Sequence, residues 1–314
     1  MKRREFLSGG IAAAGGLIAM PTLSAAVGAT RPGNPFSVNV ISLDCGAEKP
    51  FSVFHITDTH LKAVAETDSE EVRRHIAKRF VGYDPEDALV ASIAYARRRH
   101  IEYLLHTGDL IDCATDGNIA LLKKYFGENG NILYAPGNHE FATTYAAPRN
   151  GESEADFRAV NTAKVQAAVP FDLGFSSRVV NGVNFVMIDD VYGTIAPRSV
   201  ELFHEEVKKG LPIILALHVP ICTEGLWRIG ARVECSESNP LSDFVVPDVF
   251  GSYRIQMEDR VTADFIRELK RQPLLKAIFS GHWHVAASDR FSPTAMQYVG
   301  AANFRYFGQE ILIH

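Results

Sequence analysis

The decisive stretch of the sequence is Phe51-Ser-Val-Phe-His-Ile56, which runs directly into Thr57-Asp58-Thr59-His60. A short apolar run that ends at a polar turn predicts a buried β-strand. Asp58 and His60 would then lie just beyond the carboxyl end of that strand. Ligands of open α/β sheets bind at this end of the strands, so the stretch predicts both a sheet and a site at its edge.

Four further apolar runs end in residues of the same chemical types. They are followed by Asp109, by Asn138 and His139, by His218, and by His282 and His284. Five of the eleven histidines lie at these predicted strand ends. Carboxylate, amide and imidazole groups suit divalent ions such as Mn, Fe, Zn or Ni. Two such ions about 3.5–4 Å apart can hold phosphate oxygens and activate a water molecule, so the pattern indicates metal-dependent chemistry on a phosphate ester.

Predicted helices alternate with these strands along the chain. Pro85-Glu86-Asp87 begins one helix with a proline in its first turn, and others cover about 118–126, 198–209 and 260–271. This alternation predicts an α/β architecture. Two less regular stretches, 64–84 and 222–258, are expected to be insertions, and the second is the best candidate for a cap over the site.

Residues 36–314 are expected to form one domain, because neither an internal repeat nor a low-complexity linker divides them. The last two apolar runs, Gln297-Tyr-Val and Glu310-Ile-Leu-Ile, are expected to be edge strands.

The first 29 residues have the layout of a secretory signal: a basic start, an uncharged stretch rich in Gly and Ala, and small residues at the end. Arg3-Arg4-Glu5-Phe6-Leu7 resembles the bacterial twin-arginine signal, which is an address read by a receptor. Export to the periplasm or the medium is therefore expected, with the twin-arginine export machinery as a partner. A retained anchor is the alternative, although several glycines and Pro21 make a poor membrane span. No span is expected in the mature protein.

The composition of the 314 residues excludes several classes of protein. Hydrophobic residues make up 46% and charged residues 22%, which are globular values and not those of a disordered or fibrous chain. Four cysteines are too few for a disulfide scaffold. The formal net charge is −5. A protein that coats nucleic acid through a Lys/Arg surface is therefore not expected.

Five short motifs follow one another along the chain. They are Asp58-x-His60, Gly108-Asp109-x-x-Asp112, Gly137-Asn138-His139-Glu140, His218 and Gly281-His282-x-His284. Together they resemble the calcineurin-like metallophosphoesterase family. The resemblance implies a four-layer α/β/β/α sandwich, in which two mixed sheets are flanked by helices. It also implies two divalent metal ions at the strand ends and hydrolysis of a small phosphate ester by a metal-bound hydroxide.

The same resemblance implies a role for each motif residue. Asp58, His60 and His284 resemble the ligands of one metal ion. Asn138, His218 and His282 resemble those of the other, with Asp109 as the bridge. His139 resembles the outer histidine that binds the phosphate and protonates the leaving oxygen, and Asp112 is a candidate to orient it.

Several polar residues outside this set have plainer interpretations. His55 and His106 lie inside predicted strands and are expected in the core or behind the ligands. The remaining histidines in helical or charged stretches are expected at the surface, namely His75, His100 and His204. Glu140 is expected either to support the ligands or to be an ordinary loop residue. Cys113 is expected to be buried, and a Cys222–Cys235 pair is an open alternative for an exported protein.

The motifs identify the branch of the family less clearly than they identify the family itself. The motif around Asp109 lacks the tyrosine typical of purple acid phosphatases, which disfavours that branch. The expected activity is that of an exported phosphodiesterase or phosphatase. Trp227 is expected in the cap, and Arg228 and Arg232 are expected either to meet a second phosphate or acidic group or to form an ordinary solvated face. The alternative is a binding or scaffold protein on the same fold with weak catalysis, although every ligand position is filled.

Overall fold

The computed structural model describes residues 36–128, 130–144, 151–226, 228–229 and 259–314. The predicted signal, 1–29, and most of the predicted insertion 222–258 lie outside these residues. The signal, the cap and the pairing of Cys222 with Cys235 therefore stay predictions. Within the described ranges, no helix combines the length and the apolar character needed to cross a bilayer.

The strands of the described chain form two mixed sheets. They are β1 (Ser37–Leu43), β2 (Phe51–Ile56), β3 (Tyr103–Thr107), β4 (Ile132–Ala135), β5 (Phe175–Val180), β6 (Val183–Ile188), β7 (Ile213–Ala216), β8 (Leu275–Ser280), β9 (Ala287–Arg290), β10 (Met296–Val299) and β11 (Phe307–Ile313). The first sheet has the order β1-β11-β2-β3-β4 and the second the order β5-β6-β7-β8-β10-β9. Strands β2, β3 and β4 are parallel, and so are β6, β7 and β8. Each sheet therefore brings several carboxyl strand ends to one edge.

The prediction that the last two apolar runs are edge strands is wrong. Strand β10 lies between β8 and β9, and β11 lies between β1 and β2. The outer partners β1 and β9 are mostly exposed or half-buried. Strand β9 is mostly polar, and β1 mixes apolar residues with Ser and Asn. Hydrophobicity alone therefore does not reveal which strands they cover.

Helices flank the two sheets. They are α1 (Glu70–Lys78), α2 (Pro85–Arg98), α3 (Asp116–Phe126), α4 (Glu154–Gln166), α5 (Pro197–Val207) and α6 (Arg260–Leu269). Side-chain caps explain where several of them begin. The Asp84 carboxylate accepts a hydrogen bond from the Asp87 N–H at the start of α2, and Asp259 accepts two at the start of α6.

Alternate residues of each strand pack on opposite faces of its sheet, which gives the four layers. Between the sheets, Val53 and Leu105 of the first pack with Phe185, Ile214 and Phe279 of the second. On the outer face of the first sheet, Phe54 and Ile56 pack against residues of α2 and α3, among them Leu89 and Leu122. On the outer face of the second, Leu215 and Ile278 pack with Phe203 of α5 and Phe265 of α6. The predicted α/β/β/α sandwich is confirmed.

The expected insertion at 64–84 contains a regular element. Helix α1 is capped at its start by Ser69, whose hydroxyl accepts a hydrogen bond from the Val72 N–H, and Arg79 follows its last residue, Lys78. Its one buried residue, Ile76, packs against Cys113 and Ala142. The sequence of α1 is dominated by charge, which hides this narrow apolar contact.

His55 and His106 lie in the sheet with no exposed surface, which confirms their interpretation as core residues. The ring nitrogens of His55 lie 2.7 Å from Gln309 Oε1 and 2.8 Å from Thr107 Oγ1. Burial lowers the pKa of His55 to about 4 and that of His106 to about 3. Both rings are therefore neutral at physiological pH.

We expect the substitution His55→Gln to reduce the acid sensitivity of the fold. The pKa of His55 is about 4 in the folded protein and 6.5 in the unfolded one. Its contribution to stability is therefore complete above pH 6.5 and is lost as the pH falls towards 4. The full loss corresponds to roughly 3 kcal/mol.

Urea unfolding of the metal-free protein at pH 7 and pH 4.5 measures this effect. The free energy of unfolding should fall less steeply for the variant than for the wild type. His204→Gln, at a histidine whose side chain is 46% exposed, is the control. Equal slopes for His55→Gln and wild type would contradict the expectation.

Candidate metal centre

The carboxyl ends of five parallel strands meet at one edge of the sandwich. Strand β2 delivers Asp58 and His60, β3 delivers Asp109, β4 delivers Asn138 and His139, β7 delivers His218, and β8 delivers His282 and His284. The first sheet supplies the first three segments and the second sheet the last two. The predicted site residues therefore converge where the edges of the two sheets face each other.

Left-handed backbone turns aim five of these side chains into the site. Asp58, His60, Asp109, His282 and His284 have φ angles between 50 and 70°. They are half of the ten non-glycine residues with positive φ in the described chain. Such a conformation costs of order 1–3 kcal/mol per residue. Its concentration here shows that the surrounding fold enforces the geometry of these turns.

Two glycines allow the ligand-bearing turns to approach one another. Gly108 has a φ of 91°, and a methyl group there would collide with the His218 ring and lie 2.7 Å from the Gly137 nitrogen. A methyl group at Gly281 would collide with the Thr57 hydroxyl and lie 2.5 Å from Asp58 Oδ2. A side chain at either glycine would therefore push the ligand-bearing turns of the two sheets apart.

Asp58, His60, Asp109 and His284 form a first cluster of candidate ligands, with one donor atom from each within 4.8 Å of the others. His60 Nε2 lies 3.1 Å from His284 Nε2 and 3.7 Å from Asp109 Oδ2. His284 Nε2 lies 3.3 Å from Asp58 Oδ1. Two imidazole nitrogens and two carboxylates that face one point fit a divalent ion.

Asp109, His218 and His282 form a second cluster. His218 Nε2 lies 3.3 Å from Asp109 Oδ2 and 3.1 Å from His282 Nδ1. Asn138 is buried and begins a short 3-10 helix, Asn138–Phe141. The same oxygen of Asp109 faces a histidine of each cluster, which suits a carboxylate that bridges two ions. The donor set as a whole therefore fits a dinuclear centre, as the family resemblance implies.

The electrostatics of the metal-free site separate the protonation states of these groups. Burial alone would raise the pKa of Asp58, but His284 and His218 lower it to about 2. Burial would lower the pKa of His218, but Asp109 raises it to about 10. Burial lowers the pKa of His60 to about 4, and His139 adds to the effect. Asp58 is therefore ionised and His60 neutral, as ligands must be, whereas His218 would release a proton when a metal ion binds.

Glu140 supports the turn that carries Asp109. It has no exposed surface, and its carboxylate accepts hydrogen bonds from the backbone N–H groups of Asp109 at 3.0 Å, Leu110 at 2.7 Å and Gly137 at 2.5 Å. Burial and the Asp109 charge raise its pKa to about 7, while these N–H groups oppose the rise. Of the two roles expected for Glu140, the structure gives the supporting one.

Asp190 plays the corresponding part in the second sheet. Its Oδ1 accepts hydrogen bonds from the N–H groups of His218 at 2.8 Å and Val219 at 3.1 Å. Asp190 has no exposed surface, and burial raises its pKa to about 7 against the pull of His218. The sequence places Asp190 at a strand end, but only the structure shows which turn it holds.

His139 lies beside both clusters and close to Asp112. Its backbone N–H donates to Asp109 Oδ1 at 2.9 Å, and its Nδ1 lies 2.7 Å from the Asp112 carbonyl oxygen. The Asp112 carboxylate oxygen Oδ1 lies 3.4 Å from the same nitrogen. Burial would lower the pKa of His139, but Asp109 and Asp112 raise it to about 9. The ring is therefore oriented and charged at neutral pH in the metal-free protein.

Sequence reasoning misses three residues around this site. Arg79 forms a two-pronged ion pair with Asp112. The His75 side chain, expected at the surface, is 28% exposed and lies 3.9 Å from the same carboxylate. The Phe304 ring lies 5.8 Å from that of His60 and 5.3 Å from that of His284. None of the three residues follows a strand in a metal-type motif. Their place at the site is therefore visible only in the folded structure and not in the neighbouring sequence.

Few of the residues expected in the cap can be placed. Trp227 and Arg232 lie outside the described residues. Arg228 pairs with Glu224 four residues earlier, and both side chains are well exposed. Trp283, between two candidate ligands, is half-buried.

A sequence model of the family described as calcineurin-like phosphoesterase matches residues 51–286. The match begins with strand β2 and contains all five motifs of the site. Because it covers more than half of the chain, the chain belongs to the calcineurin-like phosphoesterase family. The chain is accordingly a hydrolase that acts on phosphate esters, as the motifs predict.

Several solved structures are similar to the chain at low sequence identity. A dimetal phosphatase from Danio rerio is 12% identical with a TM-score of 0.49, and the alignment covers 81% of this chain and 88% of that one. A purple acid phosphatase from yellow lupin (Lupinus luteus) seeds is 14% identical with a TM-score of 0.47, and the coverage is 81% and 44%. A calcineurin-like phosphoesterase from Bacillus subtilis is 11% identical with a TM-score of 0.40, and the coverage is 81% and 82%. A comparison with curated proteins found no match. Likeness at this level does not bear on the substrate of this chain.

We expect Glu140→Gln to weaken the binding of Mn²⁺ by about 10- to 100-fold, the usual effect of losing a group that supports metal ligands. The amide has one acceptor oxygen, and its NH2 group would face backbone N–H donors around Asp109. Competition against a fluorescent chelator measures the affinity. The exposed Glu128→Gln changes the charge equally and should leave it at the wild-type value. Wild-type affinity for Glu140→Gln would show that the supporting role is wrong.

Proposed function

We propose that the chain is a dinuclear-metal phosphoesterase that hydrolyses a small phosphomonoester or phosphodiester outside the cytoplasm. One observation carries the proposal: Asp109 Oδ2 lies 3.7 Å from His60 Nε2 and 3.3 Å from His218 Nε2. A single buried carboxylate is thus shared by the two ligand clusters. When bound, two ions would supply positive charge for the phosphate oxygens and activate a water molecule. Mn, Fe and Zn all suit this mixture of imidazole, carboxylate and amide donors.

His139 is the residue placed to move a proton. Its Nδ1 is committed to the Asp112 carbonyl oxygen at 2.7 Å, so Nε2 is the nitrogen that can reach a substrate. Nε2 lies 4.0 Å from Asp109 Oδ2, and the side chain is 16% exposed. An imidazole here that carries a proton on Nε2 could bind a phosphate oxygen and protonate the leaving oxygen.

The exposure of the ligands gives the direction of substrate entry. The His60 and His218 side chains are 1% and 0% exposed, whereas that of His284 is 30% exposed. The site is therefore closed below by the sheets and accessible on the side of His284 and His139. A phosphate group that enters there meets the proton donor and the candidate ligands together.

The location outside the cytoplasm rests on the sequence of residues 1–29. A twin-arginine signal would suit an enzyme that acquires its metal ions before export. Fractionation of cells that express the full chain tests this part. The wild-type chain is expected in the periplasm in processed form. The double variant Arg3→Lys, Arg4→Lys is expected to stay in the cytoplasm, and its export at the wild-type level would refute the twin-arginine route.

The first activity prediction concerns metal dependence. Mature protein treated with a chelator should show no turnover of p-nitrophenyl phosphate or bis-p-nitrophenyl phosphate, and added Mn²⁺ should restore turnover of at least one. A higher kcat/KM for the diester would indicate a phosphodiesterase, and the reverse a phosphatase. Absence of metal-dependent turnover of both esters would favour a binding or scaffold role.

The second activity prediction separates the bridge from the proton donor. Asp109→Asn should abolish turnover and reduce the bound metal, because the shared charge is lost. His139→Ala should lower kcat by about 100- to 10,000-fold, the usual contribution of a general acid, with a metal content near that of the wild type. Asp44→Asn, at an exposed residue, and His204→Ala are matched controls. Full activity of His139→Ala would remove this residue from the mechanism.

A further inference from the structure

We infer that Arg79 is a positioning residue of the phosphoesterase site. Its guanidinium group fixes the Asp112 carboxylate between His60 and His139, and so links the segment that carries helix α1 to both the metal centre and the proton donor. The part of the inference that concerns turnover rests on the proposed function. The part that concerns the orientation of His60 does not.

Asp112 is the point through which Arg79 acts. Its side chain has no exposed surface, and its Oδ1 lies 3.4 Å from His60 Nδ1 and 3.4 Å from His139 Nδ1. His60 Nδ1 has no hydrogen-bond partner within normal geometry among the described residues, and the Asp112 carboxylate 3.4 Å away is placed to orient the His60 ring. The opposite nitrogen of that ring, Nε2, faces the first ligand cluster. A shift of Asp112 would therefore move one candidate ligand and the proton donor together.

Arg79 holds this carboxylate with a forked contact. Its Nε lies 2.9 Å from Asp112 Oδ2, and its Nη2 lies 2.8 Å from Asp112 Oδ1. A two-pronged contact fixes the plane of the carboxylate as well as its position. Lysine offers a single ammonium group and cannot reproduce that geometry. His75 lies 3.9 Å from Oδ2 and is too distant to replace the fork.

The turn that presents Arg79 is itself held in place. Lys62 Nζ donates hydrogen bonds to the carbonyl oxygens of Arg79 at 2.8 Å and Phe80 at 3.3 Å. Phe80 has a φ of 47°, which is a genuine outlier for a bulky residue. The resulting backbone places the Phe80 ring 4.7 Å from the His60 ring and 4.6 Å from the Phe304 ring. The turn thus contacts His60 through its own ring and reaches Asp112 through the adjacent guanidinium.

Three variants test the inference: Arg79→Ala, Arg79→Lys and, as a control, Arg74→Ala at an exposed position of helix α1, which Arg79 follows. The first measurement is Mn²⁺ affinity by competition against a fluorescent chelator, which needs no turnover. Both Arg79 variants should bind Mn²⁺ about 10- to 100-fold more weakly than the wild type, and Arg74→Ala should not. Thermal unfolding of the metal-free proteins shows whether each variant is folded.

The second measurement compares a p-nitrophenyl ester with the corresponding phenyl ester, of whichever type the wild type hydrolyses. Loss of kcat should be larger for the phenyl ester, because its poorer leaving group depends more on the proton from His139. KM should change less than kcat. Added guanidinium ion at millimolar concentration should partly restore Arg79→Ala and leave Arg74→Ala unchanged.

These results distinguish two kinds of failure. If the wild type has no turnover but both Arg79 variants lose Mn²⁺ affinity, the proposed function fails and the positioning of His60 stands. If the wild type is active and the folded Arg79 variants match it in Mn²⁺ affinity and in the ratio of the two esters, the inference is overturned. Full recovery by lysine would also overturn it, because a positive charge alone would then suffice.

Discussion

The site depends on one buried carboxylate, that of Asp109. An ionised carboxylate in the interior is unfavourable unless charges and hydrogen bonds compensate it. Asp109 receives the His139 N–H at 2.9 Å on one oxygen, and on the other it faces His60 from the first sheet and His218 from the second. Since neither sheet alone provides these partners, the two halves of the sandwich must meet at this point for the charge to be tolerated.

The backbone around Asp109 is arranged to keep that charge in place. A buried carboxylate lies under the turn of each sheet, Glu140 under the turn after β3 and Asp190 under the turn after β7, and each accepts backbone N–H groups. Their pKa values rise to about 7, with burial as the first cause. Such carboxylates are costly unless their acceptor capacity is used, so the turns and their supports stabilise each other. Left-handed φ angles at five candidate ligands can persist because this network and the core determine the backbone around them.

Much of the fold and of the candidate site could be predicted from sequence, because the candidate ligands directly follow apolar strands. An apolar run followed by Asp, Asn or His is a local pattern, so Asp58, Asp109 and His218 could be identified without knowing how the strands pair. Strand pairing is non-local. Strands β1 and β9 cover β11 and β10, and the hydrophobicity of the individual strands could not show that the last two apolar runs lie inside their sheets. Arg79 could not be predicted because its contact is also non-local. Its partner Asp112 lies 33 residues away, and the sequence around Arg79 resembles a solvated helix.

The segment 64–84 is therefore more than a surface insertion, because it contacts residues of the candidate site. Its helix buries a single residue, Ile76, and so has little reason to be ordered by apolar packing alone. Polar contacts and one ring hold the end of the segment: Lys62 donates to the carbonyl groups of Arg79 and Phe80, Arg79 forms its fork with Asp112, and the Phe80 ring packs beside His60. Because Asp112 in turn faces His60 and His139, the order of this segment and the geometry of the site are coupled. The coupling runs in both directions, since a site whose histidines are fixed also fixes the carboxylate that holds Arg79.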